Sequence, residues 1–516
     1  MATRRALLAH NGIANVVRAG ASSAVGVFLP LVLLSLLTNA SYAAWALIFS
    51  IASYVMFFDI GMPATVQALV AQANERNKPE LVRRASSSGA WVSAFVGALF
   101  IVATVCISWA LPSISPDMSP AVRAPASAAL IILSVGQAAN LVSNTVAAHF
   151  AGLQRSSVPA AVVAPARVAS LAAAAAAAAL AAPLPVIATA YTLPCLVALA
   201  ALVSKLLWET RSARESESTR EPRYTIRGLL KFSGPMVLWS ATMLASTGLG
   251  TLIVGRFAYE DLVAYSLGQV IYSAMYGLIA AIGSPLLPEL TRSAVAHPES
   301  MGEKIIAATR VHSALLFAVS GIVMSAIPVY LMYLGGGVEG AGAISVALVF
   351  AATLHLTASP LSMGFIATST HGRLILSPVL QATFTVASAI ALVGPLGGFG
   401  VALGMVIGSV AGVVITCFQA VPRTRIGGLR AVDAANWALF IPLAGLTASA
   451  ACVAVTLVAG LPPLGLGILP SAAGILITVV WSVAVVTPRR ERDLVMSRIR
   501  SRRVTRSRRA ENEPRG

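Results

Sequence analysis

Charged residues are scarce in this sequence. They make up 11% of the 516 residues, whereas hydrophobic residues make up 57%, and the mean hydropathy is +0.82. Ordinary soluble domains carry about 25% charged residues, so this composition excludes a soluble globular protein. The net charge of +17 is spread over many short segments, and we therefore predict no nucleic acid partner.

Residues and motifs that support catalysis or metal binding are also missing. The four cysteines lie in apolar runs without Cys-x-x-Cys spacing, and the six histidines show no metal-ligand spacing. The sequence has no Gly-x-x-x-x-Gly-Lys-Ser/Thr phosphate loop, no His-Glu-x-x-His and no Gly-x-Ser-x-Gly motif. We predict a protein that is not an enzyme and has no cofactor, with H⁺ and Na⁺ as candidate coupling ions.

Long apolar runs are abundant instead. A helix needs about 20 apolar residues to cross a bilayer, and by that measure the sequence predicts an all-α polytopic membrane protein with fourteen spans. Their limits are 12–37, 43–68, 87–112, 123–148, 157–181, 185–207, 229–255, 262–288, 306–333, 342–367, 374–393, 398–420, 435–459 and 464–486.

The basic residues predict how these spans are oriented. Of the 36 Lys and Arg residues, 32 fall in segments that are separated from one another by two spans. Basic loops stay in the cytoplasm, so we place these segments and both termini on the cytoplasmic side. We expect the membrane to be the inner membrane of a bacterium. The segments are 1–11, 71–86, 149–157, 205–231, 290–310, 370–374, 421–433 and 487–516.

Several landmarks recur along the chain with an offset of 218 to 220 residues, among them Trp45 and Tyr265, Arg84 and Lys304, and Arg155 and Arg373. The offsets predict two parallel six-span lobes, an arrangement in which transporters bind substrate at the interface between repeats. The predicted parts are the N-terminal lobe 1–207, a cytoplasmic linker 208–228, the C-terminal lobe 229–420, extra helices 421–486 and a basic tail 487–516.

Polar residues inside predicted spans supply the candidate site. A charge at the bilayer centre costs about 2.5–3.5 kcal/mol on insertion scales, so it normally faces a cavity or a partner. In the first span, Asn15 and Arg18 share a face, and Arg18 either lines a cavity or extends toward the headgroups. Asp59 precedes a Gly-Met-Pro break. It either pairs with Arg18 as part of the site or forms an ion pair that only holds the first two spans together. Arg167 is expected near the cytoplasmic end of its span, where it either extends toward the headgroups or lines a cavity.

Amide and aromatic stripes on three further spans complete the set. Such stripes either join helices by hydrogen bonds or line a hydrophilic cavity suited to a sugar, whose ring faces stack on tyrosine. The candidate substrate-binding residues are Asn15, Arg18, Asp59, Gln137, Asn140, Asn144, Gln269, Tyr272, Tyr276 and His355.

Short segments of the chain resemble the Wzx-type polysaccharide-biosynthesis flippases of the multidrug/oligosaccharidyl-lipid/polysaccharide (MOP) exporter superfamily. The resemblance covers the first to about the twelfth span. Ala43 and Ala44 depart from the pattern, because the family often has glycine there. The segments that carry the resemblance are 37–45 (LTNASYAAW), 59–63 (DIGMP), 70–72 (VAQ), 152–155 (GLQR), 232–235 (FSGP) and 264–266 (AYS).

The resemblance implies a two-lobed helical bundle that alternates its opening across the membrane and moves a polyprenyl-linked oligosaccharide to the outer leaflet. Arg18 is then the candidate phosphate partner, because a guanidinium matches phosphate oxygens in fork geometry. The implied partners are the lipid-linked glycan and a polysaccharide polymerase. The basic tail 487–516 is expected to attract anionic lipids.

Four other functions remain open at this point. A lipid II flippase has the same architecture, but Arg18 lacks the aspartate that usually accompanies the first-span arginine in that branch. A cation-coupled drug antiporter usually stops at twelve spans, although Asp59 suits it. A major-facilitator carrier is disfavoured, because its charged loop motif between the second and third spans is absent. A scaffold without transport activity would not need the polar residues of the spans.

Overall fold

The computed structural model describes residues 2–59, 61–210, 226, 241–283, 290, 301–334, 338–367, 376–420 and 476. Within these ranges every regular element is a helix, and eight helices are long and apolar enough to cross a membrane. The prediction of an all-α multi-pass membrane protein is therefore confirmed. The predicted spans 435–459 and 464–486, the tail and most of the linker lie outside the described residues.

Seven helices form the N-terminal half of the described chain. Their limits lie within a few residues of the predicted spans in most cases. Two of the helices begin at proline, Pro79 and Pro120, which suits the first turn because it lacks an N–H. They are α1 (Ala2–Leu36), α2 (Asn39–Ser53), α3 (Met62–Glu75), α4 (Pro79–Ile114), α5 (Pro120–Gly152), α6 (Ser157–Ala179) and α7 (Leu184–Thr210).

Helix α5 is the centre of this half. It packs against α2, α3, α4 and α7, while α6 packs against α7 and α1. Near its C-terminal end, buried Val146 and Phe150 pack against Leu202 and Leu206 of α7. Helix α5 is surrounded by protein on most sides, which explains how it can carry amide side chains that would be costly against acyl chains.

Helix α4 shows the opposite pattern. Trp91, Phe95, Leu99 and Trp109 are 72%, 70%, 61% and 78% exposed, and their spacing places them along one face of the helix. In water such a stripe would be an aggregation hazard, but it suits contact with lipid. The apolar surface therefore faces outward, and the polar side chains of this half are collected inside.

The second predicted span is broken. Helix α2 ends at Ser53, a 3₁₀ turn follows at Tyr54–Phe58, and α3 begins after Gly61. Gly61 has φ +64°, a left-handed conformation that costs other residues about 1–2 kcal/mol. The sequence predicted a break at the Gly-Met-Pro step, and the structure extends that break back to Tyr54.

The second half of the described chain contains six helices and another irregular segment. A π-helical turn at Leu244–Gly248 runs directly into the first of these helices. They are α8 (Leu249–Phe257), α9 (Leu262–Gly283), α10 (Met301–Leu334), α11 (Ala341–Thr357), α12 (Ser359–Ala367) and α13 (Leu376–Ala420).

Two links between predicted spans contain proline or glycine, and both are irregular in the structure. Helix α6 ends at Ala179 and α7 begins at Leu184, with Ala181 at φ +53° between them. Helix α13 is interrupted at Gly397, which has φ +56° and ψ −138°. The separation of α11 from α12 after Thr357 was not predicted.

The chain forms two compact units. The first comprises Met1–Ala274, Tyr333–Leu348 and Pro378–Gly408, and the second comprises Met275–Met332, Val349–Ser377 and Ser409–Gly516. The predicted division into lobes, linker, extra helices and tail stays a prediction.

Candidate substrate site

The first unit contains a buried amide cluster that joins α2 to α5. The Gln137 amide nitrogen donates to the Ser53 hydroxyl at 3.3 Å, and the Asn140 amide donates to the Gln137 oxygen at 3.1 Å. Gln137 and Asn140 are only 6% and 5% exposed. Asn144, one turn further along α5, is half-buried. The predicted stripe thus faces the protein interior, and Ser53 is a partner that the sequence pattern did not reveal.

Arg18 lies on α1 and is half-buried. Within the described part of the chain its guanidinium has no carboxylate within 4.0 Å. The predicted pairing with Asp59 is therefore not formed in this conformation. Asn15 lies on the same helix, but its side chain is outside the described residues.

Asp59 has a different partner. Its carboxylate accepts the backbone N–H of Gly61 at 2.8 Å, and its carbonyl accepts the N–H of Met62 at 2.9 Å. The half-buried carboxylate therefore fixes the turn that leads into α3. Since one oxygen of the carboxylate is sufficient for this bond, a neutral acid or an amide can make it as well.

Gln269 on α9 reaches the π-helical turn. Its amide nitrogen donates to the Thr247 carbonyl at 3.3 Å, while its own amide oxygen is buried without a partner. Next to it, the Tyr54 hydroxyl donates to the Gly248 carbonyl at 2.7 Å. A π turn interrupts the regular ladder of backbone bonds and often marks a functional position. These two side chains stabilise it, so Tyr54 is a further residue that the sequence pattern did not single out.

The remaining candidates are split between the units. Tyr272 on α9 is 4% exposed and belongs to the first unit. Tyr276 and His355 belong to the second unit, where their rings lie 5.7 Å apart at 41°. The structure thus brings Tyr276 and His355 together, as the stripes on α9 and α11 suggested, and it places the other eight candidates in the first unit.

Arg167 lies midway along its helix. It lies ten residues after the start of α6, about 15 Å along the helix axis, and it hydrogen-bonds the hydroxyl of Tyr191 on α7. Extension toward the headgroups and lining of a cavity both stay predictions for this side chain.

A multi-pass helical protein with polar groups collected inside its membrane-spanning part is typical of membrane transporters. Residues 21–176 match the family model MatE. No curated protein matches the chain.

The chain has the fold of the MOP superfamily transporters. A MATE transporter from Vibrio cholerae is 13% identical, with a TM-score of 0.61, and the match covers 80% of this chain and 95% of that one. The lipid II flippase MurJ in an inward closed conformation is 12% identical, with a TM-score of 0.58 and coverage of 88% and 98%. A eukaryotic MATE transporter is 16% identical, with a TM-score of 0.58 and coverage of 84% and 99%.

Proposed function

We propose that this protein is a flippase that moves a polyprenyl-linked oligosaccharide, or a related glycolipid, from the inner to the outer leaflet of a bacterial plasma membrane. The transported glycan would serve the synthesis of a cell-surface polysaccharide, and alternating access would move it. A polar headgroup cannot cross hydrocarbon unaided, because burying each unpaired polar group costs several kcal/mol.

One observation carries this proposal. The first unit, which has a strongly apolar outer surface, holds buried amides and a half-buried Arg18 without a carboxylate partner in the described chain. Amides can donate to and accept from sugar hydroxyls, and a guanidinium can bind phosphate oxygens in pairs. Together these groups suit a ligand that combines hydroxyls with an anionic phosphate.

The length of the chain supports a flippase over a shorter exporter. The match to the lipid II flippase covers 88% of this chain, whereas the match to the Vibrio cholerae MATE transporter covers 80%. The drug antiporters of the superfamily usually have twelve spans, and residues 435–486 predict two more. Lipid II is the alternative cargo, although the residues after Arg18 are Ala19 and Gly20.

The proposal includes a location and partners. Both termini would be cytoplasmic, as the basic segments predict, and the tail 487–516, with eleven arginines, would bind anionic lipids of the inner leaflet. A polysaccharide polymerase would receive the flipped glycan on the outer side. The direction of movement follows from the cytoplasmic assembly of the glycan and not from any feature of the chain.

Deletion of the gene followed by complementation tests the proposal. Deletion is expected to accumulate lipid-linked glycan in the inner leaflet and to abolish the surface glycan, and the wild-type gene to restore it. Arg18→Ala is expected to insert normally and fail to restore export. Arg256→Ala is the matched control, because Arg256 lies in the last turn of α8, where its guanidinium stacks on the Phe257 ring. Normal surface glycan in the Arg18→Ala strain would remove Arg18 from the mechanism.

A cation-coupled drug antiporter is the second candidate. It is favoured by the match of residues 21–176 to the MatE family model and by the presence of Asp59 within the second predicted span. For this function, expression in a drug-sensitive host would raise resistance to cationic drugs, and Asp59→Asn would abolish that resistance. A glycan flippase would leave drug resistance unchanged.

A further inference from the structure

Arg167 lies near the middle of a membrane-spanning helix. Helix α6 is 23 residues long, and Arg167 is ten residues from its first residue. At 1.5 Å per residue this is about 15 Å, or half of a hydrocarbon core of about 30 Å. Arginines that extend toward headgroups normally lie near helix ends, and Arg167 lies near neither end of α6.

The side chain of Arg167 faces protein and not lipid. It lies on the same helix face as Ala164 and Ser170, three positions away on either side, and both are buried. Its guanidinium hydrogen-bonds Tyr191 of α7, whose side chain is 2% exposed. The Nε atom is shielded and has no hydrogen-bond partner. The cation is thus turned toward the interior of the first unit.

Tyr191 connects Arg167 to the amide cluster. Its ring packs edge-on against Phe49 of α2, with ring centroids 5.6 Å apart, and Phe49 lies one helical turn from Ser53, the partner of Gln137. The next residue, Thr192, donates its hydroxyl to the Ile132 carbonyl of α5 at 3.3 Å. A chain of contacts therefore links Arg167, through Tyr191 and Phe49, to Ser53 and the amides of Gln137 and Asn140, and we call this connected set the polar region.

The positive charge of this region is not balanced. Among the residues that the structure describes, Arg167 has no carboxylate within 4.0 Å. The region's side chains are a phenol, two amides and a hydroxyl, which are all neutral. An unpaired cation at the bilayer centre is costly and normally marks a ligand pathway. An anion that enters the region would complete it, with the free N–H groups of the guanidinium as donors.

We infer that Arg167, held by Tyr191 and linked through it to the amide cluster of Gln137 and Asn140, is the cationic anchor of an oxyanion subsite that takes the phosphate or diphosphate of the transported lipid. The inference rests on the proposed function. Arg167 contacts the anion, and Tyr191 is a positioning residue that accepts one guanidinium N–H and directs the others.

Binding to the purified full-length protein in nanodiscs tests this subsite. The probes are undecaprenyl diphosphate, uncharged undecaprenol and inorganic diphosphate. The wild-type protein is expected to bind the diphosphate lipid, and Arg167→Gln to bind it at least about tenfold more weakly. The change should leave undecaprenol binding within about twofold, because the lost group recognises only charge. Arg256→Gln, which removes an arginine at the C-terminal end of α8 and away from the amide cluster, should bind like the wild type.

Two further variants keep the test decisive if Arg167→Gln does not fold. Arg167→Lys retains the charge without the fork and should bind with intermediate affinity. Tyr191→Phe removes only the hydroxyl and should weaken diphosphate lipid binding without changing undecaprenol binding. A purely structural Arg167 would instead lower binding of both lipids equally, and that result overturns the inference.

The outcomes separate this inference from the proposed function. A wild-type protein that binds no diphosphate lipid contradicts the proposed function. A wild-type protein that binds it, together with an Arg167→Gln protein of equal affinity, contradicts only the subsite. Competition by inorganic diphosphate that is lost in Arg167→Gln supports recognition of the anion itself. If the protein binds inorganic diphosphate but not the diphosphate lipid, the anion that the subsite recognises does not belong to a lipid, and the inference is overturned.

Discussion

The amide side chains of α5 have two possible roles: they bind substrate in a cavity, or they only join helices by hydrogen bonds. Hydrogen bonds between membrane helices contribute about 0.6 kcal/mol each on average, so their loss has a small effect on stability. A contact that binds substrate affects transport much more strongly than it affects stability. Comparing the two effects at one position therefore separates the two roles.

Gln137→Leu is expected to lower transport by about tenfold, which corresponds to ~1.4 kcal/mol of lost interaction with substrate, while thermal stability falls only slightly. Ser93→Ala is the control, because the Ser93 and Thr145 hydroxyls form a buried 2.7 Å bond between α4 and α5 that lies outside the amide cluster. Transport assays and thermal unfolding in detergent measure both effects. Equal, small losses of transport in the two variants would assign Gln137 to helix joining.

Asp59→Asn separates charge from structure at the broken second span. The asparagine oxygen can still accept the Gly61 N–H, so we expect normal expression and stability. Transport driven by a proton or sodium gradient is expected to be lost, because the new side chain carries no charge to exchange. Uptake or export measured with and without the imposed gradient tests this. Undiminished gradient-driven transport would exclude Asp59 as the coupling residue.

At the scale of helices, two irregular segments meet. The 3₁₀ turn at Tyr54–Phe58 contacts the π turn at Leu244–Gly248, and the Tyr54 hydroxyl binds the Gly248 carbonyl. Near them, the Ser115 hydroxyl donates to the Gly255 carbonyl at 3.0 Å, and Ser266 donates to the Tyr42 hydroxyl at 3.3 Å. Helices from both sequence halves are therefore joined within the first unit by bonds that a conformational change can break.

Tyr54→Phe is expected to loosen the π turn, because the Gly248 carbonyl loses its side-chain donor at a cost of about 1 kcal/mol. Backbone amides of residues 244–257 should exchange with deuterium about fivefold faster, as expected for that energy. Phe58→Leu is the control, since Phe58 lies on the same 3₁₀ turn but is 41% exposed. Unchanged exchange in Tyr54→Phe, measured by mass spectrometry, would show that this bond does not stabilise the turn.

Sequence patterns predicted the helices better than the irregular segments. The long apolar runs and the Pro and Gly links locate α4 to α7 because hydrophobic length and backbone preference are local properties. The π turn at 244–248 has no such signature, since it is stabilised by Tyr54, almost two hundred residues away. The depth of Arg167 was available from the span limits, whereas its partner Tyr191 depends on how α6 packs against α7.

At the scale of the whole molecule, orientation is the next prediction. A reporter that is active only in the cytoplasm is expected to be active when it is fused after residue 218, in the linker. The reason is that this segment and its flanks, 205–231, carry seven basic residues. Fusions after residue 117, before Arg123, are expected to report the outer side. A linker found outside would invert the orientation and place the arginine-rich tail away from the cytoplasmic leaflet.

The site residues were predicted from the chemistry of single helices, and the structure shows which residues that method does not find. Stripes on α5 and α9 identified Gln137 and Gln269, because amides are rare in apolar runs. Their partners Ser53 and Tyr54 lie in a run where hydroxyl residues are common, so nothing in the local pattern separates them from packing residues. The units that hold these residues combine segments far apart in sequence, and no local pattern specifies that.

Translocation of a fluorescent polyprenyl-diphosphate oligosaccharide in proteoliposomes measures the central claim most directly. Each vesicle preparation is treated with a membrane-impermeant quencher to count the lipid in the outer leaflet over time. Wild-type protein is expected to accelerate the exchange between leaflets, Arg256→Ala to behave like it, and Arg18→Ala to remain at the rate of protein-free vesicles. Wild-type vesicles that exchange the lipid no faster than protein-free ones, with and without an ion gradient, would contradict the account.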